Sequence, residues 1–193
     1  MAAPERIDLD GGLVLRRWRP ADAEALILAI DESREHLRPW MHWVTASGPE
    51  EERAVLVKWE EEWDAGGELQ YGLFLGPLAV GSIALIPRIG PGGLEIGYWV
   101  HAAHTRRGYA TSAAAALTSM AFTLPGIEVV EIHHDRSNLA SEGVPRKLGF
   151  VLVGEHPRAS WLPPSPAESG IFRAWRMTRE DWHPPRAPAP TGG

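Results

Sequence analysis

Between Glu95 and Leu117 the spacing of apolar side chains changes period. Ile96, Tyr98 and Val100 alternate with Glu95, Gly97, Trp99 and His101, the two-residue repeat of a strand. From Tyr109 the repeat becomes helical, with Ala110, Ala114, Leu117 and Ala121 on one stripe. Thr105-Arg106-Arg107-Gly108-Tyr109-Ala110 joins the two. A helix start carries unpaired N–H groups and the positive end of the dipole, so it favours an anion. Gly108 allows close approach to the backbone, and Arg106 and Arg107 add charge. This strand, loop and helix predict a diphosphate site. The chain has neither a GxxxxGK(S/T) loop nor a GxGxxG turn, which disfavours P-loop and dinucleotide Rossmann sites.

The rest of the chain is patterned around that stretch. Met1 to Asp10 reads as a loose lead-in, and Leu13 to Trp18 as a first strand. Pro20-Ala21-Asp22 opens a helix with Ala25, Leu28 and Ala29 as its stripe, running to about Ser33. Leu37 to Val44 is an aromatic connection. Pro49 to Asp64 predicts an amphipathic helix with Val55, Leu56, Trp59 and Trp63 inward and its glutamates solvated. Leu69 to Leu75 and Leu78 to Pro87 form a hairpin around Gly76-Pro77. Beyond the Tyr109 helix come a strand over Val129 to Asp135, a short helix over Asn138 to Leu148 and a strand over Phe150 to Val153. A Pro-rich loop over His156 to Gly170 and a strand over Phe172 to Thr178 follow. A right-handed strand-helix-strand crossover sets the Glu95 and Val129 strands side by side. The fold class expected is mixed α/β with a mostly antiparallel sheet, one domain over residues 1–183. The tail 184–193, PPRAPAPTGG, is too rich in proline and glycine to form a core and is expected to be disordered.

Composition narrows the function. The 193 residues carry a net charge of −6 and no cysteine. The acidic balance argues against a general nucleic-acid binder and for cationic or amine partners. Absent cysteine removes disulfides, thiolate metal ligands and a covalent Cys intermediate. No apolar run approaches the roughly 20 residues of a membrane helix, and the N-terminus lacks a signal-peptide pattern. A cytoplasmic protein without membrane or nucleic-acid partners is the expectation.

The loop from Thr105 to Ala110, with IGYWV before it, resembles motif A of the GNAT acetyltransferase superfamily: Gln or Arg, two residues, Gly, one residue, then Gly or Ala. Gly108 and Ala110 match. Thr105 stands where Gln or Arg is usual, with Arg106 and Arg107 beside it to supply charge. LRRWRPADAEAL, REHLRPWMHW and DRSNLASEGVPRKLGF are similar to the RimJ/RimL type within that family, which acetylates protein N-termini. The resemblance covers Leu13 to Val153 and implies the GNAT acyl-CoA N-acyltransferase fold with acetyl-CoA as co-substrate. It implies that Arg106, Arg107, Gly108, Tyr109, Ala110 and Thr111 hold the pyrophosphate, and that the backbone of Trp99, Val100 and His101 binds the pantetheine amides. It places Asn138 on the pantetheine arm and Ser141 near the sulfur. A homodimer is an assembly family members often form.

The residues themselves suit that chemistry. Ser141 carries a hydroxyl able to donate to a leaving thiolate, although Asn138 and Ser141 also fit a helix cap. Pro145 leaves the Ser141 carbonyl without its helical N–H partner. Glu131, His133, Glu95 and His101 are base candidates. Glu131 comes first because a Glu on this strand is the base in related enzymes, and His133 has the better unperturbed pKa, about 6.5. Glu95, Trp40 and Trp43 are candidates for the acceptor side, the tryptophans either walling a cleft or packing a loop. His133 and His134 point to opposite faces, so no metal site is expected. Deprotonating a lysine at pH 7 costs roughly 4 to 5 kcal/mol and an α-amine about 1. The expected activity is acetyl transfer to an amine, preferably an N-terminus, by direct attack. Small amines (aminoglycoside-like or polyamine), succinyl-CoA as donor, and a CoA sensor without turnover are the alternatives.

Overall fold

The two periodicities resolve into strands and helices much where the apolar spacing puts them. The computed structural model describes residues 3–158 and 164–185. Strands β1 Arg6–Asp8, β2 Leu13–Arg17, β3 Leu69–Leu75, β4 Leu78–Ile86, β5 Gly93–Val100, β6 Val129–Asp135, β7 Val151–Pro157 and β8 Ile171–Thr178 form one sheet. Its order is β1-β2-β3-β4-β5-β6-β8-β7. Only β5 and β6 pair in parallel; every other neighbouring pair is antiparallel. The helices are α1 Ala23–Leu37, α2 Pro49–Asp64, α3 Tyr109–Ala121 and α4 Leu139–Lys147. Among the described residues no helix is long and apolar enough to cross a membrane.

Strand alternation gives the sheet two apolar faces. Ile96, Val130, Ile132 and Trp175 pack with Ala113 and Leu117 of α3, whose small residues let the helix lie close. On the opposite face Leu26 and Ile30 of α1 and Leu56 of α2 pack with Phe74 and Trp99. Trp18 joins this second cluster, its Nε1–H donating to Ser82 Oγ at 3.0 Å. Glu131, His133 and Asp135 alternate with Val130, Ile132 and His134 and so lie on the face away from α3.

Several expectations need correction. The lead-in contains β1, which pairs with Val14–Arg16 of β2. A three-residue strand has no periodicity of its own, and its neighbour defines it. The α1 stripe is Leu26, Ala29, Ile30, Ser33 and Leu37, whereas Leu28 is exposed. The run ALILAI is apolar on every side, so packing rather than spacing chose the buried face. The α2 glutamates are not all solvated, because Glu52 is buried. The last part of the proline-rich tail, from residue 186, lies outside the described residues.

His134 shows how burial couples this core to pH. Its Nε2 accepts from Trp175 Nε1–H at 2.9 Å, leaving Nδ1–H to donate to the Asp135 carbonyl at 2.8 Å. Burial lowers its pKa below the ordinary histidine value. The unfolded chain therefore binds this proton at higher pH than the fold does. The contribution is complete above about pH 6.5 and is lost as pH falls. Thermal melts should show stability dropping from pH 7.5 to 5.5, with a shallower slope in His134→Gln.

Candidate functional site

Parallel pairing of β5 with β6 runs from Gly93–Ile96 against Val129–Ile132 and stops there. Beyond it, β4 holds β5 as far as Val100, and β8 holds β6 as far as Asp135. The two central strands therefore part, each kept by its outer neighbour. Successive peptide groups of a strand point to opposite sides. The His101 N–H donates to Val80 O at 2.9 Å, so the peptide groups of Gly97 and Trp99 also serve β4. Tyr98 and Val100 turn theirs into the gap. Of the three strand residues expected to meet the pantetheine arm, only Val100 presents its backbone.

His101 is also corrected as a base. Its Nδ1 accepts the Ala103 N–H at 3.1 Å, so Nε2 carries the hydrogen and donates to Glu32 at 2.9 Å. Both nitrogens are occupied. With Ser33 Oγ receiving the Ala102 N–H at 3.1 Å, α1 fixes the turn that leads into the arginine loop.

The loop places a left-handed residue at Arg106 (φ 60°) and another at Gly108 (φ 82°). Gly108 caps α3 without a side-chain hydrogen bond, and the space beside its Cα is open. The amides of Tyr109, Ala110 and Thr111 thus begin α3 without helical acceptors. Arg106 and Arg107 are exposed. Among the described residues neither has a carboxylate partner, and Arg107 donates to the Ala103 carbonyl at 3.3 Å. A non-glycine residue in the left-handed region costs about 1 kcal/mol, a strain found most often at binding sites.

On the α3 side of the gap stands the start of α4. Asn138 is its cap, with Oδ1 accepting the Ser141 N–H at 3.0 Å. Tyr98 Oη lies 2.8 Å from Ser141 Oγ and 3.0 Å from the Ser141 carbonyl. That carbonyl is the one Pro145 deprives of an N–H, and the Tyr98 hydroxyl takes the missing donor's place. Sequence reasoning put Tyr98 on a core stripe and missed it. The orphaned carbonyl was the available signal. Burial raises the Tyr98 pKa to about 12, with the Ser141 contact opposing it, so the phenol keeps its proton at neutral pH.

On the opposite face, Glu95 and Glu131 pair across β5 and β6, and His133, just past the last pair, converges on them. His133 Nε2 lies 2.6 Å from Glu131 Oε2, and Nδ1 lies 3.6 Å from Glu95 Oε2. Arg176 Nε donates to Glu131 Oε1 at 2.7 Å, and Arg88 Nε to Glu95 Oε2 at 2.7 Å. Both carboxylates are buried and arginine-clamped, so Glu95 is not free to receive an acceptor. Both Glu131 oxygens are occupied, whereas His133 is partly open. Neither arginine was singled out in the sequence, where each is one cation among many.

Gly97 separates Glu95 from Trp99 on this face and borders a cleft between the sheet, α1 and α2. The cleft has a volume of about 470 Å³ and is walled by Trp43, Met41, Trp59 and Val55. Trp43 takes the place expected of it, while Trp40 does not line the cleft. The gap between β5 and β6 and the mostly apolar cleft thus both border residues 97–99, with the Glu95–His133–Glu131 cluster on the cleft's face of the sheet.

Comparison with known proteins agrees with that geometry. A family model for the acetyltransferase (GNAT) domain matches residues 12–151. YdaF of Bacillus subtilis (strain 168), provisionally named a ribosomal N-acetyltransferase, is 24% identical over 147 residues, 74% of this chain and 80% of its own. RimL, a ribosomal L7/L12 α-N-protein acetyltransferase solved with coenzyme A, superposes with a TM-score of 0.80 at 21% identity, covering 90% of this chain and 98% of its own. The microcin C7 self-immunity acetyltransferase MccE, solved with acetyl-CoA and AMP, gives 0.81 at 18% identity, covering 91% and 97%. RimJ of Mycobacterium smegmatis, solved with a CoA disulfide, gives 0.77 at 23% identity, covering 91% and 86%. At these identities the three structures share a fold with this chain. The family match over residues 12–151 goes further, and this protein belongs to the GNAT acetyltransferases, enzymes that take their acyl group from acetyl-CoA.

Proposed function

We propose that this enzyme acetylates a primary amine, preferably the α-amine of a peptide or protein, by direct attack in a ternary complex. The parting of β5 and β6 beside the open start of α3 carries this reading. Tyr98 and Val100 offer peptide groups to the pantetheine amides, the α3 amides face the pyrophosphate, and Arg106 and Arg107 balance its charge. The donor supplies an activated thioester carbonyl. The acceptor enters from the Gly97 side, where an α-amine asks little of a base. His133 receives the amine's proton, directly or through water, with Glu131 holding the ring. As the new C–N bond forms and the C–S bond breaks, Ser141 Oγ–H, held in place by Tyr98, donates to the departing sulfur, and a proton from solvent restores the serine. The printed acceptor of RimL, the ribosomal protein L7/L12, supports a protein N-terminus as acceptor and a cytoplasmic reaction.

The test is amine-dependent release of free thiol from acetyl-CoA. Peptides with free N-termini should be turned over better than acetyl-blocked peptides, polyamines or aminoglycosides. Turnover with succinyl-CoA alone changes the donor, and binding without release makes the chain a sensor. Replacing Arg106 and Arg107 together by alanine should weaken acetyl-CoA by about 10- to 100-fold, less at high salt. Unchanged affinity would move the phosphate end elsewhere.

A further inference from the structure

The cleft beside Gly97 contains a carboxylate that the reaction above does not use. Glu52, in the first turn of α2, is 2% exposed and lines the cleft among Leu26, Ile30, Trp43 and Val55. Its Oε1 accepts from Ser47 Oγ at 3.2 Å and lies 3.4 Å from Arg34 Nη2. Its Oε2 is buried and has no hydrogen-bond partner among the described residues. Arg34 is largely engaged elsewhere, with Asp31 at 2.6 Å, the Ser47 carbonyl at 3.1 Å and the Val44 carbonyl. Burial raises the Glu52 pKa, and Ser47 and Arg34 offset this only in part. A buried acceptor without a donor is costly, and a ligand N–H in the cleft removes that cost.

We propose that Glu52 is the polar recognition point for the acceptor, its Oε2 receiving an N–H from an amine whose apolar body fills the cleft. The inference rests on the acetyl-transfer reading and names the acceptor class: a peptide N-terminus whose first side chain is apolar, of the size of leucine, methionine or phenylalanine. The walls decide against polyamines and aminoglycosides. Those molecules would bring several charges among Leu26, Ile30, Met41, Val55 and three tryptophans, where Glu51 turns back to accept the Gly48 N–H and Glu52 alone keeps an unpartnered oxygen. A single N–H on an apolar body matches both the walls and the one vacant oxygen.

The experiment measures acetylation of peptides beginning with Phe, Met or Leu against the same peptides beginning with Ser, Asp or Lys. Acetyl-CoA affinity is measured in parallel by calorimetry. In the wild-type enzyme kcat/KM should favour the apolar set by about tenfold or more. Glu52→Gln and Glu52→Leu should raise the peptide KM by about 10- to 100-fold while acetyl-CoA affinity stays within about twofold. Ser47→Ala, which removes one of the two Oε1 contacts and leaves Oε2 untouched, should change the peptide KM much less, separating recognition from disturbance of the loop. Val55→Phe narrows the cleft without touching the carboxylate and should penalise Phe-first peptides most. The proposal is overturned if the Glu52 variants keep the wild-type peptide KM, or if polar-first peptides are preferred. In either case thiol release by the wild type would still stand. Failure of the wild type to bind acetyl-CoA would remove the acetyl-transfer reading, and this inference with it.

Discussion

Ser141→Ala should lower kcat by about 100-fold and leave acetyl-CoA affinity within about twofold. A thiolate already leaves readily, so the loss sits at the lower end of general-acid effects. The serine acts within a pair, since Tyr98 Oη is 2.8 Å from Ser141 Oγ and also occupies the carbonyl orphaned by Pro145. Tyr98→Phe should lower kcat by about tenfold and cost about 1–3 kcal/mol of stability, because the Ser141 carbonyl loses its donor. Adding Pro145→Ala to Tyr98→Phe returns a backbone N–H to that carbonyl. The double variant should regain stability while kcat stays low. A parallel recovery of kcat would make Tyr98 a purely structural residue.

His133→Ala should lower kcat/KM by about 100-fold. The geometry ranks His133 above Glu131, because Arg176 and His133 between them occupy both Glu131 oxygens. Glu131→Gln leaves the ring in place with a weaker partner, so a smaller loss of about tenfold is expected. The reverse order, with Glu131→Gln the more damaging, would return the base to Glu131.

How much of this was legible follows from what each residue depends on. The β5–α3 junction could be read because its period change, glycine and arginines are all local. The α4 start was legible for the same reason, and Asn138 caps it as its side chain predicts. Contacts between distant strands were hidden. The pairing that stops at Ile96 and Ile132 is a property of two strands and their outer neighbours, so the gap has no sequence mark. The clamp of Arg176 on Glu131 joins β8 to β6 and was missed for that reason, while Arg88 reaches Glu95 from the turn after β4. Glu52 was misread because it sits in an acidic run, Glu50-Glu51-Glu52. Yet it shares the helical stripe of Val55, Leu56, Trp59 and Trp63, and that spacing marks a buried carboxylate. His101 failed as a base because Glu32 and the Ala103 amide, neither of them on its strand, fill both nitrogens.

Calorimetric titration of the purified protein with acetyl-CoA, with CoA and succinyl-CoA alongside, tests the central claim most directly. The account predicts one site per chain with affinity in the micromolar range, weakened in the Arg106→Ala, Arg107→Ala variant and kept in Ser141→Ala. No heat with any of the three would contradict it, because the gap between β5 and β6 would then not be a coenzyme A site.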